Sequence, residues 1–150
     1  MAAFENVRYS VNKFLKEKYI TTTVRYYGLP GFKAETINEW IEPLVMGPYG
    51  QAARRTNQEH NRYILNINIY SRVDIDNSSE PNRRNVYRVY EIADVLTALL
   101  EKKSIPFWTT AGAYLGIINV GEASTAELGV DEGLMGVNLS FELWSIRATS

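Results

Sequence analysis

Arg62-Tyr63-Ile64-Leu65-Asn66-Ile67-Asn68-Ile69-Tyr70-Ser71-Arg72 is the stretch that decides the fold. Side chains alternate between the two faces of a strand, so Tyr63, Leu65, Ile67 and Ile69 share one face. Ile64, Asn66, Asn68 and Tyr70 share the other. The first face is wholly suited to a core. The second is mixed, as expected of a sheet that meets helices on one side only.

Working outward, Val73 to Arg83 gathers Asp, Asn, Ser and Pro and reads as a long exposed loop. The strongest helical pattern follows, with Val86, Val89, Tyr90, Ala93, Leu96 and Leu100 in one apolar stripe. Glu101-Lys102-Lys103 ends it, with two cations near the negative pole of the helix dipole. Ile105 to Thr110 and Ala113 to Val120 read as short strands, with glycines at 112, 116 and 121 allowing bends. Glu122 to Gly133 reads as a loop. Leu134 to Ile146 reads as a closing strand, with Met135, Val137, Leu139, Phe141 and Leu143 on one face. Leu134, Gly136, Asn138, Ser140, Glu142 and Trp144 take the other face.

Upstream, Phe4, Val7, Val11, Phe14 and Leu15 recur at helical spacing and predict an amphipathic helix from about Ala3 to Lys18. Thr21 to Tyr27 is β-branched and aromatic and reads as a strand that stops at the Gly28-Leu29-Pro30-Gly31 turn. Ile37 to Met46 is extended again. Pro43 has no N–H for a ladder bond, which places that strand at an edge or a bulge. Gly47 to Asn61 reads as a polar connection. The expected fold class is therefore α+β, with a mixed, mainly antiparallel sheet against an N-terminal and a central helix. Residues 1–150 form one domain, a length that suits a single core.

Composition narrows the function. The chain has no cysteine, which excludes disulfides and thiolate metal sites and suits a reducing compartment. Its net charge of −1 lacks the basic excess of a free-standing nucleic-acid binder. The opening MAAFENVRYSVNKF has no apolar run of signal type, and no stretch approaches the ~20 apolar residues of a membrane span. A cytoplasmic protein is expected. Ten tyrosines and three tryptophans supply large contact area for a core or an interface.

No catalytic constellation emerges. His60 is the only histidine, and as a base or ligand it has no second His or Cys to help it, so it reads as a solvated loop residue. Asp74-Ile75-Asp76-Asn77-Ser78 resembles the start of a calcium loop. Ser79 stands where the turn glycine is needed, and Asn85 stands where the bidentate glutamate is needed. No glycine-rich phosphate loop is present. Asn77-Ser78-Ser79 and Asn138-Leu139-Ser140 match the glycosylation acceptor pattern, which has no meaning without secretion. Arg54-Arg55, Arg83-Arg84, Arg62, Arg72 and Arg88 read as solvated or inter-subunit cations before phosphate contacts. Glu35, Glu39 and Glu42 form no acid/base pair. The sequence thus predicts no catalytic, cofactor or metal residue.

The order of elements carries a resemblance. A helix and a strand lead to a Pro-interrupted edge. The strand Tyr63-Ile64-Leu65-Asn66-Ile67-Asn68-Ile69-Tyr70-Ser71 then runs into a polar loop. The helix Tyr90-Glu91-Ile92-Ala93-Asp94-Val95-Leu96-Thr97-Ala98-Leu99-Leu100 follows, and the chain closes on Val137-Asn138-Leu139-Ser140-Phe141-Glu142-Leu143-Trp144. From about Phe4 to Ile146 this resembles the tail terminator proteins of long-tailed bacteriophages, also called tail completion or minor tail proteins.

The resemblance implies a non-enzymatic virion subunit that closes into a homohexameric ring. The ring caps the head-proximal end of the tail tube and offers a surface to the head or neck. The implied partners are further copies of itself, the tail tube protein, a head or neck connector and, in a contractile tail, the sheath protein. DNA would only pass through the lumen. Assembly would take place in the host cytoplasm. It implies no membrane contact and no cofactor. A neck, head-completion or tail-tube protein shares this general build, and a monomeric α+β domain with a small-ligand pocket is the alternative from another class. The resemblance carries over a role and no named contact positions; physically, the long strands with Tyr63, Tyr70, Trp40, Trp108 and Trp144 supply amphipathic contact area that suits a ring subunit. Asn138, Ser140 and Glu142 would line a wet lumen or simply the solvated side of the sheet.

Overall fold

The computed structural model describes residues 3–24, 39–49, 58–72, 83–131 and 133–148. Two helices, α1 (Ala3–Lys18) and α2 (Arg83–Leu100), accompany six strands. These are β1 (Thr23–Val24), β2 (Glu39–Met46), β3 (Gln58–Arg72), β4 (Ser104–Trp108), β5 (Tyr114–Asp131) and β6 (Leu134–Ala148). They form one sheet in the order β1-β2-β3-β6-β5-β4. The β1–β2 pair is parallel and every other pair is antiparallel. The expected α+β class, with a mainly antiparallel sheet and two helices, is what the chain adopts.

The alternation in β3 and β6 sets the layers. Register brings Leu65 opposite Phe141, Ile67 opposite Leu139 and Ile69 opposite Val137. All six are buried, and they form one core with Val7, Val11 and Leu15 of α1 and Val89, Ile92, Leu96 and Leu100 of α2. Both helices therefore lie on the same face of the sheet. α2 packs on β3 and β6, the two central strands. α1 touches both β4 and β2, near opposite margins, so it crosses the strands. Sixteen residues span about 24 Å, enough to bridge the four strand gaps of about 4.8 Å between those margins.

Several boundaries differ from expectation. Glu122 to Gly133, read as a loop, is mostly strand: β5 runs on to Asp131, pairing Ala123 with Phe141 and Asp131 with Leu134. The composition is loop-like, but β6 offers a ready ladder beside it. Irregularities between Val120 and Ala123 and between Glu127 and Gly129 absorb the residues that do not fit. Gln58 to Asn61 likewise belongs to β3, because β6 extends to Ala148 and pairs with them. His60 is thus a strand residue opposite Ile146, not a loop residue. Among the described residues β1 covers Thr23–Val24 and β2 covers Glu39–Met46, the expected strand positions between 25 and 38 lying outside them, and β4 ends at Trp108. Ile92 also belongs to the buried side of α2, beside the apolar stripe that periodicity marks. The 28–31 turn, the calcium-like segment, most of the polar loop from 73, and Glu35 lie outside the described residues. So do the side chains of Arg54, Arg55, Arg83 and Arg84.

Pro43 sits where its chemistry requires. β1 pairs only with Trp40 and Ile41, so among the described residues β2 has no outer neighbour at Pro43. At the other margin, the amide of Trp108 on β4 donates to Ser10 Oγ at 2.8 Å, and that of Thr110 donates to Asn6 Oδ1 at 3.2 Å. Ser10 and Asn6 are polar residues buried on a helix, and these bonds explain them. Ser10→Ala would leave the Trp108 amide without its acceptor. The expected loss is about 1–3 kcal/mol in urea denaturation. An unchanged midpoint would mean that water replaces the hydroxyl.

Candidate interaction surface

The face of the sheet turned away from the helices gathers polar and aromatic side chains from four strands. Register lines them up in rows across the strands. Trp40, Tyr70, Gly136 and Gly129 form one row, and Glu42, Asn68, Asn138 and Ala126 the next. Leu44, Asn66, Ser140 and Ser124 form a third. The centre is small and polar. Asn138 donates to Asn68 Oδ1 at 2.8 Å, and Asn66 Nδ2 reaches Met46 Sδ at 3.9 Å.

One end of this face is apolar. The Trp40 and Tyr70 rings lie 5.3 Å apart, tilted by 32°. A Cβ built on Gly136 would stand 3.2 Å from the Tyr70 ring and 3.2 Å from Leu128 Cβ, so glycine there lets the two side chains close over the strand. At the other end, Trp144 lies opposite Arg62 and Asn119, and Ser104 Oγ bonds Asn119 Oδ1 at 2.6 Å.

The aromatic residues divide differently from expectation. Tyr63 and Trp40 are buried within the chain, so they serve its own packing and not a contact surface. Both fall on strands next to large neighbours, which draws aromatic area inward. Trp108 is half-buried against Tyr114, with ring centroids 5.4 Å apart, and Lys13 Nζ lies 5.9 Å from the Trp108 centroid. Tyr70 and Trp144 remain half-buried on the helix-free face. Among the described residues, the aromatics that do stand out are Tyr49, Tyr87 and Tyr114, each more than half exposed. Sequence reading missed them, because each lies beside a turn or helix end where periodicity carries no burial signal.

Charge is used for tying elements together. Arg88 on α2 makes a two-pronged bond to Glu39 on β2, Nε–Oε2 at 2.7 Å and Nη2–Oε1 at 3.1 Å, and a third bond to Glu91 at 3.0 Å. Arg88 is therefore an internal strut and not a free cation, contrary to expectation. The bonds to Glu39, then those to Glu91, raise its pKa above the usual guanidinium value. Both partners remain about a third exposed, so solvent weakens the tie. Glu39 accordingly serves structure. Among the described residues no cluster of His, Asp or Glu has the arrangement of a metal site. No helix among them is long and apolar enough to cross a membrane. The side chain of His60 lies outside the described residues. What this arrangement offers chemically is contact: polar rows, half-buried rings and strand edges.

Comparison with known proteins adds fold and nothing about activity. No family model matches the chain, and no curated protein matches it. A solved structure that carries no functional name is similar over 100% of this chain and 99% of its own, with a TM-score of 0.62 and 14% identity. That likeness establishes a shared fold along the whole chain.

Proposed function

We propose that this protein is a structural subunit of a long-tailed phage, a tail terminator that assembles into a ring of six and caps the tail tube. The order of elements from Phe4 to Ile146 supports the reading. So does a broad helix-free sheet face with a small polar centre and half-buried rings at its ends. A ring subunit needs two different complementary surfaces, one for each neighbour. A cap must also match the tube end on one side and offer no further tube-like surface on the other. Such work needs contact surfaces and no catalytic residues. The proposed partners are the subunit itself, the tail tube protein, a head or neck connector and, for a contractile tail, the sheath. DNA passes through the lumen, and the proposed location is the virion.

The helix-free face with its Asn68–Asn138 centre is the observation that carries this proposal. A tail-assembly reaction with and without the protein tests it. Omission should give tubes of abnormal length that fail to join heads. Normal, head-joined tails in its absence would overturn the assignment.

A further inference from the structure

The edges of the sheet are not equally protected. In an antiparallel pair, backbone groups point alternately toward and away from the neighbour, so the outward residues follow from register and one known bond. On β4 the Trp108 amide points outward, to Ser10, and two residues earlier the outward position is Pro106, which has no N–H. On β5 the outward amides of Val120 and Ala123 are taken by Lys103 O at 2.8 Å and Glu101 Oε2 at 2.8 Å. Carrying the alternation across β6 and β3 makes Ile41, Pro43 and Val45 the outward residues of β2. There Ile41 is paired with β1 and Pro43 again lacks the donor.

Among the described residues, β5 has a longer stretch without such protection than the single Val45 position on β2. Beyond Ala123, β5 has β6 on one side and, among the described residues, no strand on the other. The same alternation turns the N–H and C=O of Thr125 and Glu127 off the sheet, and past the irregularity those of Val130. Ser124 to Leu128 are exposed, as is Val130. The segment Ser124-Thr125-Ala126-Glu127-Leu128-Gly129-Val130 contains no Lys, Arg or Pro; its one charge, Glu127, accepts a bond from the Tyr90 hydroxyl at 3.3 Å, and its irregularity falls after Glu127, so the run Ser124 to Glu127 is left regular.

We propose that two copies of the chain join along this edge, antiparallel about a two-fold axis at Ala126, to make one continuous sheet. That register sets Thr125 opposite the second copy's Glu127 and Ala126 opposite itself. The outward groups of Thr125 and Glu127 then meet outward groups of the second copy. The smallest side chain lies at the axis, and no two carboxylates stand directly opposite, which would be destabilising. Exposed Leu128 and Val130 lie beside the seam and gain cover. The irregularity at Glu127–Gly129 limits the seam to the run before it. Such a contact is isologous, so it is separate from the head-to-tail surfaces that close a ring and stands or falls independently of the ring.

The absence of cysteine makes the test clean. Ala126→Cys would place two thiols at a non-hydrogen-bonded pair, with Cα atoms about 4.5 Å apart, within the span a disulfide bridges. Mild oxidation should give a covalent dimer, and Ala111→Cys, exposed in the β4–β5 turn, should not. In sedimentation the dimer should be lost on Thr125→Pro, which removes an amide the subunit's own sheet does not use, and kept on Thr125→Ala. Crosslinking of Ala126→Cys no greater than of Ala111→Cys would overturn the proposal. So would a two-fold assembly that survives Thr125→Pro with an unchanged denaturation midpoint. If Thr125→Pro fails to fold, the cysteine comparison decides alone.

Discussion

Phe141→Ala is expected to destabilise the protein by about 3–5 kcal/mol, a large share of the roughly 5–15 kcal/mol typical of a domain. Phe141 is among the largest fully buried side chains and stands between Leu65 of β3 and Ala123 of β5. Ala123 is small, so the ring fills space that its cross-strand neighbour cannot reclaim. Truncation should leave a cavity roofed by the helices, with little chance of collapse. Urea denaturation should show a lower midpoint with the slope unchanged. Glu142→Ala, one residue along and exposed, should stay within about 0.5 kcal/mol of the parent. Equal effects at the two positions would show that the two faces of β6 are wrongly assigned.

Leu96→Ala is expected to cost about 2–5 kcal/mol. Leu96 is fully buried on α2, in the cluster that joins the helix to Leu65 and Ile67. Most of a helix's stability in a protein comes from the packing of its amphipathic face, not from helix propensity. Val95→Ala provides the contrast, because Val95 is 42% exposed and has little burial to lose. An unchanged midpoint for Leu96→Ala would mean that α2 is not seated on β3 and β6.

Much of this architecture is legible in single residues. Tyr63, Leu65, Ile67 and Ile69 alternate with a mixed set that includes Asn66 and Asn68, and Met135 to Leu143 alternate with Gly136, Asn138, Ser140 and Glu142, so two strands and their buried faces are read directly. The stripes of α1 and α2 were equally plain, because a 3.6-residue period survives even where individual positions such as Ile92 escape. The interaction surface was only half legible. Asn68 and Asn138 were visible as polar face residues, but their mutual bond depends on pairing across 70 positions of chain. Tyr63 and Trp40 looked like contact residues because aromatic side chains suit cores and interfaces alike.

The sequence by itself determined which residues face the core, since side-chain period is a local property of the backbone. It also settled the lack of disulfides and pointed to Pro43 lying where no ladder donor is needed. Tertiary structure alone decided that β6 lies between β3 and β5, and so that Glu122 to Asp131 becomes strand in spite of loop-like composition. It alone turned Arg88 into a strut for Glu39 and gave Ser10 and Asn6 to the margin at β4. The physical reason is the same in each case. A backbone amide or a charge takes its state from whatever the fold sets beside it, and along the chain those neighbours lie too far away to be read.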